Sequence, residues 1–223
     1  DLRILNIVYD AYSELLDGES LPEDFNRSLM VLIPKGELDG DHLAIARLPE
    51  ATRPITLRNS VGKLFPICLN RGLSRLAQHI VLPRQRGFVR GRHLIDTILE
   101  TEAFMLQSTT WFNEKAGLIL LDFAAAFPSL AHNWILLVLK AMGIPAKVCL
   151  AIQALYRDCK VQLVLSVLDN LLFTVTAGIK QGCPASGSLF ALALDPFIRF
   201  LCLRIPRPIH LGLAFADDIA IAT

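Results

Sequence analysis

Residues 211–222, with the sequence LGLAFADDIAIA, place two adjacent aspartates between two short apolar runs. Such runs predict buried strands, and the abrupt change in polarity predicts a bend at Asp217 and Asp218. An adjacent Asp pair most often lies in a hydrated turn, but no Gly, Asn or Pro stands beside this one. An ionised carboxylate between apolar strands is costly unless a cation or a hydrogen-bond donor compensates it. The segment therefore predicts two strands with a ligand at the tip that joins them.

A third carboxylate follows another apolar run. Residues 117–121, GLILL, predict a compact buried strand, and Asp122 comes directly after it. Three carboxylates on neighbouring strands form an oxygen cage of the kind that binds Mg²⁺. Two such ions, roughly 3.5–4 Å apart, commonly clamp the attacking and leaving oxygens in phosphoryl transfer. The three aspartates thus indicate phosphoryl-transfer chemistry before any family is considered.

The overall composition supports a packed domain. Of the 223 residues, 53% are hydrophobic and 19% are charged, which excludes a disordered chain and suits one large domain or two small ones. The longest uncharged stretch, 123–139, contains Pro, Ser, His and Asn, so no membrane span is predicted. No signal peptide is recognised at the N-terminus. Five scattered cysteines without a CxxC pair predict reduced thiols in an intracellular protein, and zinc is not expected.

Charge is distributed unevenly along the chain. The formal net charge is only +1, but residues 47–92 hold ten Lys and Arg side chains against Glu50 alone. Residues 1–46 are acidic and mask this block in the total. A basic block of this density is typical of a segment that contacts a polyanion. The total charge is therefore no argument against a nucleic-acid partner.

Hydrophobic periodicity predicts a mixture of helices and short strands. Helices are predicted at 2–16, 61–80, 94–106, 130–142, 146–157 and 186–204, and strands at 29–33, 55–57 and 117–121. A hairpin over 160–177 is expected to turn at Asp169 and Asn170. Asn59 and Ser60 offer an N-cap for the second helix, while Pro66 predicts that this helix is kinked or starts late.

The motifs, taken in order, resemble the reverse-transcriptase domain of non-LTR retrotransposons, which is similar to group II intron polymerases. LIPK (32–35) and RPITLRNSVGKLFPICLNRGL (53–73) resemble the fingers motifs, and RQRGFVRGRHLIDTI (84–98) resembles a Gln-x-Gly-Phe-x-x-Gly-Arg segment. Polymerase motifs A, B and C are matched by LDFAAAFPSL (121–130), GIKQGCPASGSLFALAL (178–194) and FADD (215–218). Six motifs in register extend the resemblance to nearly the whole chain.

The resemblance implies an RNA-directed DNA polymerase that adds dNTPs to a primer 3′-OH by two-metal nucleotidyl transfer. It further implies an RNA template with a DNA primer, two Mg²⁺ ions (Mn²⁺ as a substitute) and a nuclear location, with no membrane and no inferable protein partner. Asp122 and Asp217 would ligate both ions, Asp218 would support them, and the Phe123 carbonyl would add a ligand.

The same resemblance assigns nucleotide and nucleic-acid contacts. The implied nucleotide-binding residues are Lys35, Arg53, Ala126, Phe127, Gln181 and Gly182. The two cations suit a triphosphate, and Phe127 falls at the steric-gate position, where a ring excludes a ribose hydroxyl; core packing is the ordinary alternative for a Phe. The implied nucleic-acid-binding residues are Lys63, Arg86, Gly87, Arg90 and Arg92. For Lys63, as for Arg71 and Arg75, a solvated helix face is equally expected.

The implied fold is α+β, a polymerase right hand with fingers and palm. Residues 1–97 are expected to form the fingers, including the template-contact segment 84–98. Residues 98–223 are expected to form the palm, an antiparallel sheet backed by helices that carries the three aspartates. Residues 131–177 would be a helix–helix–hairpin insertion between palm and fingers. We expect the thumb to be missing, because the chain continues only five residues beyond Asp218.

Departures from the family pattern keep alternatives open. Ala125 and Pro128 replace a Lys and an Asp of motif A, residues 184–187 are Pro-Ala-Ser-Gly in place of Pro-Leu-Ser-Pro, and Phe215 replaces a Tyr. None removes a metal ligand. The first alternative is a catalytically inactive, truncated remnant that only binds nucleic acid. A group II intron-type enzyme is a further alternative, disfavoured by QGCP at 181–184, and an RNA-dependent RNA polymerase is disfavoured by Phe127 and FADD.

Overall fold

The computed structural model describes residues 2–19, 25–36, 47–111, 117–164, 170–204 and 211–222. Its helices are α1 (Leu2–Leu16), α2 (Ser60–Ile80), α3 (Leu94–Trp111), α4 (Ala126–Ser129), α5 (His132–Ala141), α6 (Ala146–Tyr156) and α7 (Ser186–Arg204). Its strands are β1 (Ser28–Pro34), β2 (Thr52–Leu57), β3 (Leu118–Leu121), β4 (Cys159–Val164), β5 (Asn170–Val175), β6 (Leu211–Phe215) and β7 (Asp218–Ala222). A short 3₁₀ turn, Pro49–Ala51, precedes β2.

The palm sheet consists of β3, β7 and β6, with β7 in the centre and all pairs antiparallel. Leu121 pairs with Ile219 and Phe215 pairs with Asp218, so the end of β3 and the β6–β7 turn lie at the same end of the sheet. Helices α3 and α7 contact this sheet. The predicted α+β palm, an antiparallel sheet backed by helices, is confirmed.

A second sheet has the strand order β2-β1-β4-β5. Strands β1 and β2 form an antiparallel ribbon in which Ile33 pairs with Arg53. Strand β4 joins β1 in parallel, with Leu29 opposite Gln162, and β5 completes the predicted hairpin. The hairpin therefore extends the ribbon that carries the two predicted triphosphate-binding cations. Asp169, at the predicted turn, lies outside the described residues.

Helix α7 forms the centre of the core and packs against α2, α5 and β6. Leu189, Phe190 and Leu192 on this helix are at most 1% exposed. Among the described helices, α7 alone is long and apolar enough to cross a membrane, but 56% of that stretch is buried within the protein. Its Asp195 is buried and accepts hydrogen bonds from the Leu82 amide and from Arg199. The helix therefore has the burial of a core helix, with its one carboxylate compensated.

Helix α2 begins where its cap predicts. The Asn59 side chain accepts a hydrogen bond of 2.6 Å from the Gly62 amide, and the helix starts at Ser60. Pro66 lies inside the helix and is buried, so the expectation of a delayed start is wrong. Proline removes one helical hydrogen bond, but the buried contacts of the apolar face stabilise the helix beyond that local cost.

Lys180 is a buried lysine in the loop before α7. The residue is 7% exposed, and its described hydrogen bond is a long one of 3.5 Å from Nζ to the Asn26 carbonyl. Burial lowers the pKa of Lys180. Because burial disfavours the charged ammonium, Lys180 lowers the free energy of unfolding at every pH below its folded pKa. This destabilisation disappears as the pH rises past the unfolded pKa of about 10.4.

We therefore expect Lys180→Met to raise Tm at neutral pH. An increase of roughly 2–4 °C corresponds to about 1 kcal/mol in a domain of this size. Thermal unfolding followed by circular dichroism should show that the difference in Tm between the variant and the parent chain becomes smaller as the pH is raised. Lys140→Met, at an exposed position on α5, is the matched control and should leave Tm nearly unchanged. A Lys180→Met chain that melts at or below the parent Tm at neutral pH would contradict the buried-charge argument.

Candidate active site

The three predicted aspartates lie together at one end of the palm sheet. Asp122 follows β3, Asp217 lies in the β6–β7 turn, and Asp218 is the first residue of β7. Continuing the β3–β7 register by one residue places Asp122 opposite Asp218. Burial and the negative charges of Asp217 and Asp122 together raise the pKa of Asp218. Asp217 and Asp122 are therefore near enough for their charges to act on Asp218.

This cluster has the donor chemistry of a magnesium site. Carboxylate oxygens are the ligands that Mg²⁺ takes in proteins, and a divalent cation would remove the repulsion that raises the pKa of Asp218. Within the described ranges, however, no three His, Cys, Asp or Glu side chains already converge as a ligand group. The three aspartates thus fit Mg²⁺ because their side chains are oxygen donors and because they lie at the same end of the sheet. Among the described residues their oxygens are not already arranged around one point.

The turn that carries Asp217 has an unusual backbone. Because Phe215 pairs with Asp218, only Ala216 and Asp217 form the turn. Ala216 has a φ of +56°, a conformation that two-residue hairpins normally assign to Gly or Asn. A residue with a Cβ in this region costs of order 1–3 kcal/mol and needs support from the surrounding structure.

Gln85 supplies that support. Its side chain is fully buried, and its Nε2 donates a 3.0 Å hydrogen bond to the Ala216 carbonyl. Its Oε1 accepts from the Ala216 amide at 3.0 Å and from the Gly87 amide at 2.8 Å. The backbone on either side of Gln85 also pairs with Ala214 of β6. The loop after α2 is therefore hydrogen-bonded to the turn that carries Asp217.

Gln85 is not among the catalytic or binding residues that the sequence predicts. The motif quoted at 84–98 contains it, and the resemblance assigned roles to the Gly and Arg residues around it. The available signal is the Gln that opens the Gln-x-Gly-Phe-x-x-Gly-Arg pattern at residues 85–92. Its function depends on a contact 131 residues away along the chain, which no local pattern specifies.

Gly87 packs against the same turn. A Cβ built on Gly87 would lie 1.9 Å from the Ala216 amide nitrogen. The residue is buried, and its contact with the template backbone stays a prediction. The absence of a side chain here lets two backbone segments approach closely.

Two of the predicted nucleic-acid cations are also engaged inside the protein. The Arg86 side chain, 10% exposed, forms an ion pair with Glu100 and donates to Thr97. The Arg92 guanidinium donates to four backbone carbonyls at the end of α2 and in the loop after it, those of Gln78, Val81, Leu82 and Gln85. These bonds hold the loop that carries Gln85, and the contact of both cations with nucleic acid stays a prediction. By contrast, Arg90 is exposed and Lys63 is half-buried on α2.

The predicted nucleotide-binding residues of the loop before α7 lie beside β2. The Thr56 amide donates a 2.8 Å hydrogen bond to the Gln181 carbonyl. Gly182 has a φ of +105°, and a Cβ there would lie 2.6 Å from the Thr56 carbonyl oxygen. Only a glycine allows this approach without strain, so the loop is joined to the strand that carries Arg53.

Lys35 and Arg53 are exposed at the same end of the β1–β2 ribbon. The Lys35 amide pairs with the Ala51 carbonyl, which continues the register in which Ile33 opposes Arg53. The Lys35 ammonium donates to the Glu50 carbonyl at 3.0 Å. Both cations therefore sit on one exposed tip, as two residues that bind the same triphosphate require.

Phe127 lies in α4 and is half-buried, as is its neighbour Ala126. Its ring stacks on Phe190 of α7, with centroids 4.5 Å apart, and Phe88 meets it edge-on at 5.6 Å. The Phe127 carbonyl accepts a hydrogen bond from the Ile179 amide. One side of the ring is thus held by the core, while the residue stays partly accessible. Phe123, beside Asp122, is 37% exposed with its ring against Phe197.

Comparison with known proteins gives a consistent result. A family model described as "Reverse transcriptase (RNA-dependent DNA polymerase)" matches residues 33–223. The chain is 28% identical, over 93% of its length, to the Transposon TX1 uncharacterized 149 kDa protein of Xenopus laevis. It is also 28% identical, over 99% of its length, to the Retrovirus-related Pol polyprotein from type-2 retrotransposable element R2DM of Drosophila melanogaster. The chain spans only 16% and 20% of those two relatives.

Solved structures support the fold. Apo telomerase from Candida tropicalis, truncated from its C-terminal domain, matches 92% of the chain with a TM-score of 0.65 at 12% identity. Telomerase from Candida albicans in complex with a TWJ fragment of telomeric RNA matches 92% of the chain with a TM-score of 0.58 at 12% identity. The chain covers 45% and 40% of those two structures. At this level of identity the likeness establishes the fold alone.

The contact between Gly87 and Ala216 leads to a stability prediction. We expect Gly87→Ala to lower the free energy of unfolding by about 1–3 kcal/mol, the usual cost of overpacking, because the neighbouring atoms are backbone and cannot rotate away. Urea unfolding measures the change.

Gly72→Ala is the matched control for this prediction. Gly72 is an exposed position in α2 where a Cβ would meet nothing within 4 Å. The substitution should stabilise the chain by about 0.5–1 kcal/mol through the helix propensity of Ala. Equal unfolding free energies for Gly87→Ala and the parent chain would show that the loop does not pack against the turn.

Proposed function

Since this chain belongs to the reverse transcriptase (RNA-dependent DNA polymerase) family, we propose that it is the RNA-directed DNA polymerase domain of a retrotransposon. The resemblance to non-LTR retrotransposon domains inferred from the six motifs is confirmed by this match and by the retrotransposon relatives. The reaction, its substrates and its partners are the proposal: dNTPs are added to the 3′-OH of a DNA primer paired to an RNA template.

The observation that carries the proposal is the cluster of Asp122, Asp217 and Asp218 at one end of the palm sheet. Burial, and then the charges of Asp217 and Asp122, raise the pKa of Asp218 there. Asp122 and Asp217 would hold two Mg²⁺ ions, or Mn²⁺ in their place, with Asp218 beside them and the Phe123 carbonyl as an added ligand. When bound, such ions act as Lewis acids that neutralise charge developing on the attacking and leaving oxygens. The residues themselves position and orient; none forms a covalent bond to substrate.

The incoming nucleotide would lie between the β1–β2 ribbon, assigned to the fingers, and the palm sheet. Lys35 and Arg53, on one exposed tip, would bind its triphosphate as a point charge and a bidentate fork. Gln181 and Gly182, held beside β2 by Thr56, would approach its base and sugar along the backbone. This loop is hydrogen-bonded to Thr56 of β2 through Gln181 and to Phe127 through Ile179, which supports the view that these groups act as one site.

The template strand would approach along the basic block. Lys63 and Arg90 remain as surface cations for its phosphates, after Arg86 and Arg92 are assigned to internal bonds. We assign residues 1–97 to the fingers and 98–223 to the palm, with the insertion 131–177 between them. The β4–β5 hairpin of this insertion shares one sheet with β1 and β2. A nuclear site of action belongs to the same proposal.

A second candidate is a chain that binds nucleic acid without catalysis. It is favoured by one observation, that no three His, Cys, Asp or Glu side chains among the described residues converge to hold a metal ion. The changes at Ala125 and Pro128 in motif A are in line with it. The two candidates differ in whether Mg²⁺ supports extension of a bound primer.

Primer extension on an RNA template tests the first candidate. Charge neutralisation by a metal ion is worth several kcal/mol, and each 1.36 kcal/mol is a factor of ten in rate. Asp122→Asn and Asp217→Asn should therefore each reduce incorporation of labelled dNTP by at least about a hundredfold.

Asp158→Asn is the matched control for these variants. Asp158 is an exposed carboxylate before β4, and its φ of +47° is one that Asn adopts readily. It should leave extension unchanged. Equal incorporation by the parent chain and the two active-site variants would rule out the assigned metal ligands. Salt-dependent RNA binding by a parent chain that extends no primer would establish the second candidate.

The position of Phe127 predicts how the site selects its sugar. If the accessible part of the ring faces C2′ of the incoming nucleotide, Phe127→Val opens room for a 2′-hydroxyl. We expect the ratio of ribonucleotide to deoxynucleotide incorporation to rise about tenfold or more, the usual size of a steric discrimination of a few atoms. Competing rNTP and dNTP in single-nucleotide extension measures this ratio.

Phe88→Leu is the control for this experiment, because Phe88 has a φ of +58° that β-branched residues rarely adopt. Phe88 contacts the same rings edge-on, so its loss disturbs the aromatic cluster without opening the proposed gate. An equal rise in ribonucleotide incorporation in both variants would assign Phe127 to core packing.

A further inference from the structure

A cleft on the outer face of α2 shares one residue, Arg90, with the proposed path of the template strand. It encloses about 410 Å³ between α2 and the loops before α3 and α7. Besides Ile67, its walls are formed by Asn70, Arg71, Ser74, Arg75, Arg90 and Pro184. We call it the arginine cleft.

The three arginines of this cleft differ from Arg86 and Arg92 of the same basic block. The structure gives the guanidinium groups of Arg86 and Arg92 internal partners. Among the described residues, no ion pair or side-chain hydrogen bond engages Arg71, Arg75 or Arg90, and all three are exposed. No acidic residue lines the cleft, and α2 itself carries none. Three uncompensated guanidinium groups around one concavity are the chemistry that binds successive phosphates.

Asn70 and Ser74 add neutral polar groups to the cleft wall. Asn70 Oδ1 is buried and has no hydrogen-bond partner, which is uncommon because buried acceptors are nearly always paired. An amide and a hydroxyl one helical turn apart offer both acceptors and donors. A ribose 2′-hydroxyl, which donates and accepts, is the group that distinguishes RNA from DNA at such positions.

The cleft adjoins the proposed active site. Pro184, in its wall, is two residues after Gly182, which lies against β2. The volume falls in the range of small-ligand sites, roughly 300–1,000 Å³, and so admits a unit of a single strand but not a duplex. Since α2 presents Arg71 and Arg75 on one face four residues apart, a strand following the helix meets both.

We propose that the arginine cleft binds single-stranded RNA, with phosphates on Arg71, Arg75 and Arg90 and a ribose 2′-hydroxyl at Asn70 and Ser74. This inference rests on the proposed function only for the identity of the strand, and its binding chemistry stands apart from catalysis. The cleft would thus prefer RNA over DNA of the same sequence, before any nucleotide is added.

Fluorescence anisotropy on the full chain tests the proposal, with a labelled oligouridylate of about twelve nucleotides and the DNA of the same length. The dissociation constant is measured without Mg²⁺ and dNTPs from about 50 to about 200 mM KCl. Each phosphate contact in a single strand contributes about 0.7 to the slope of log K against log salt. The double variant Arg71→Ala/Arg75→Ala should therefore lower the slope for RNA by about 1.4. Asn70→Leu should keep the slope and lose the preference for RNA over DNA.

Two controls separate the cleft from general charge and from misfolding. Arg204→Ala removes an exposed arginine at the end of α7, where it lies over Phe200, and should leave the slope unchanged. The pair Arg71→Lys/Arg75→Lys keeps both charges and should retain the slope, and circular dichroism should show the parent Tm for every variant.

The proposal is overturned by a parent-like slope in the double Ala variant, by an equal fall in Arg204→Ala, or by equal RNA and DNA affinities in the parent chain. Its failure is distinguishable from that of the proposed function. RNA binding in the cleft by a chain that extends no primer would support the cleft and refute the polymerase. If the parent chain extends a primer and the double Ala variant keeps the parent slope, the polymerase is supported and the cleft proposal is refuted.

Discussion

The buried amide of Gln85 is the interaction on which the active-site geometry depends. It makes three hydrogen bonds that join the loop after α2 to the turn carrying Asp217. That turn places Ala216 at a positive φ, so it needs partners on both its amide and its carbonyl. Leaving these buried groups unpaired would cost about 1–3 kcal/mol each. Arg92 and Gly87 serve the same contact, one by fixing the loop and the other by leaving room for the turn.

The two sheets are connected to this site through backbone hydrogen bonds. The loop before α7 forms backbone hydrogen bonds with Thr56 of the β1–β2 ribbon and with Phe127 in the segment after Asp122. A nucleotide between the sheets would therefore meet groups whose relative positions are set by main chain, which is less adaptable than side chains. Burial and the charges of Asp217 and Asp122 disfavour the ionised form of Asp218, and a bound cation would favour it.

The basic block illustrates how far sequence reasoning reaches. Its charge and position indicated a polyanion partner, and most helices and strands were found where periodicity placed them. The block alone could not separate arginines that bind ligands from those that bind the protein itself. Arg86 and Arg92 were assigned to the template, and the structure directs them to Glu100 and to four carbonyls. Arg71 and Arg75 had no decided role, and they line an open cleft with Arg90.

The sequence by itself determined the family, the alternation of elements and the three aspartates, because strand and helix periods and short motifs are local properties. Only the tertiary structure decided what Gln85 and Gly87 contact, how the β4–β5 hairpin extends the β1–β2 ribbon, and which cations of the basic block bond to the protein itself. Each of these depends on pairs of residues far apart along the chain. Their side chains have several partners available in principle, and the packing of α2, α7 and the palm sheet selects one.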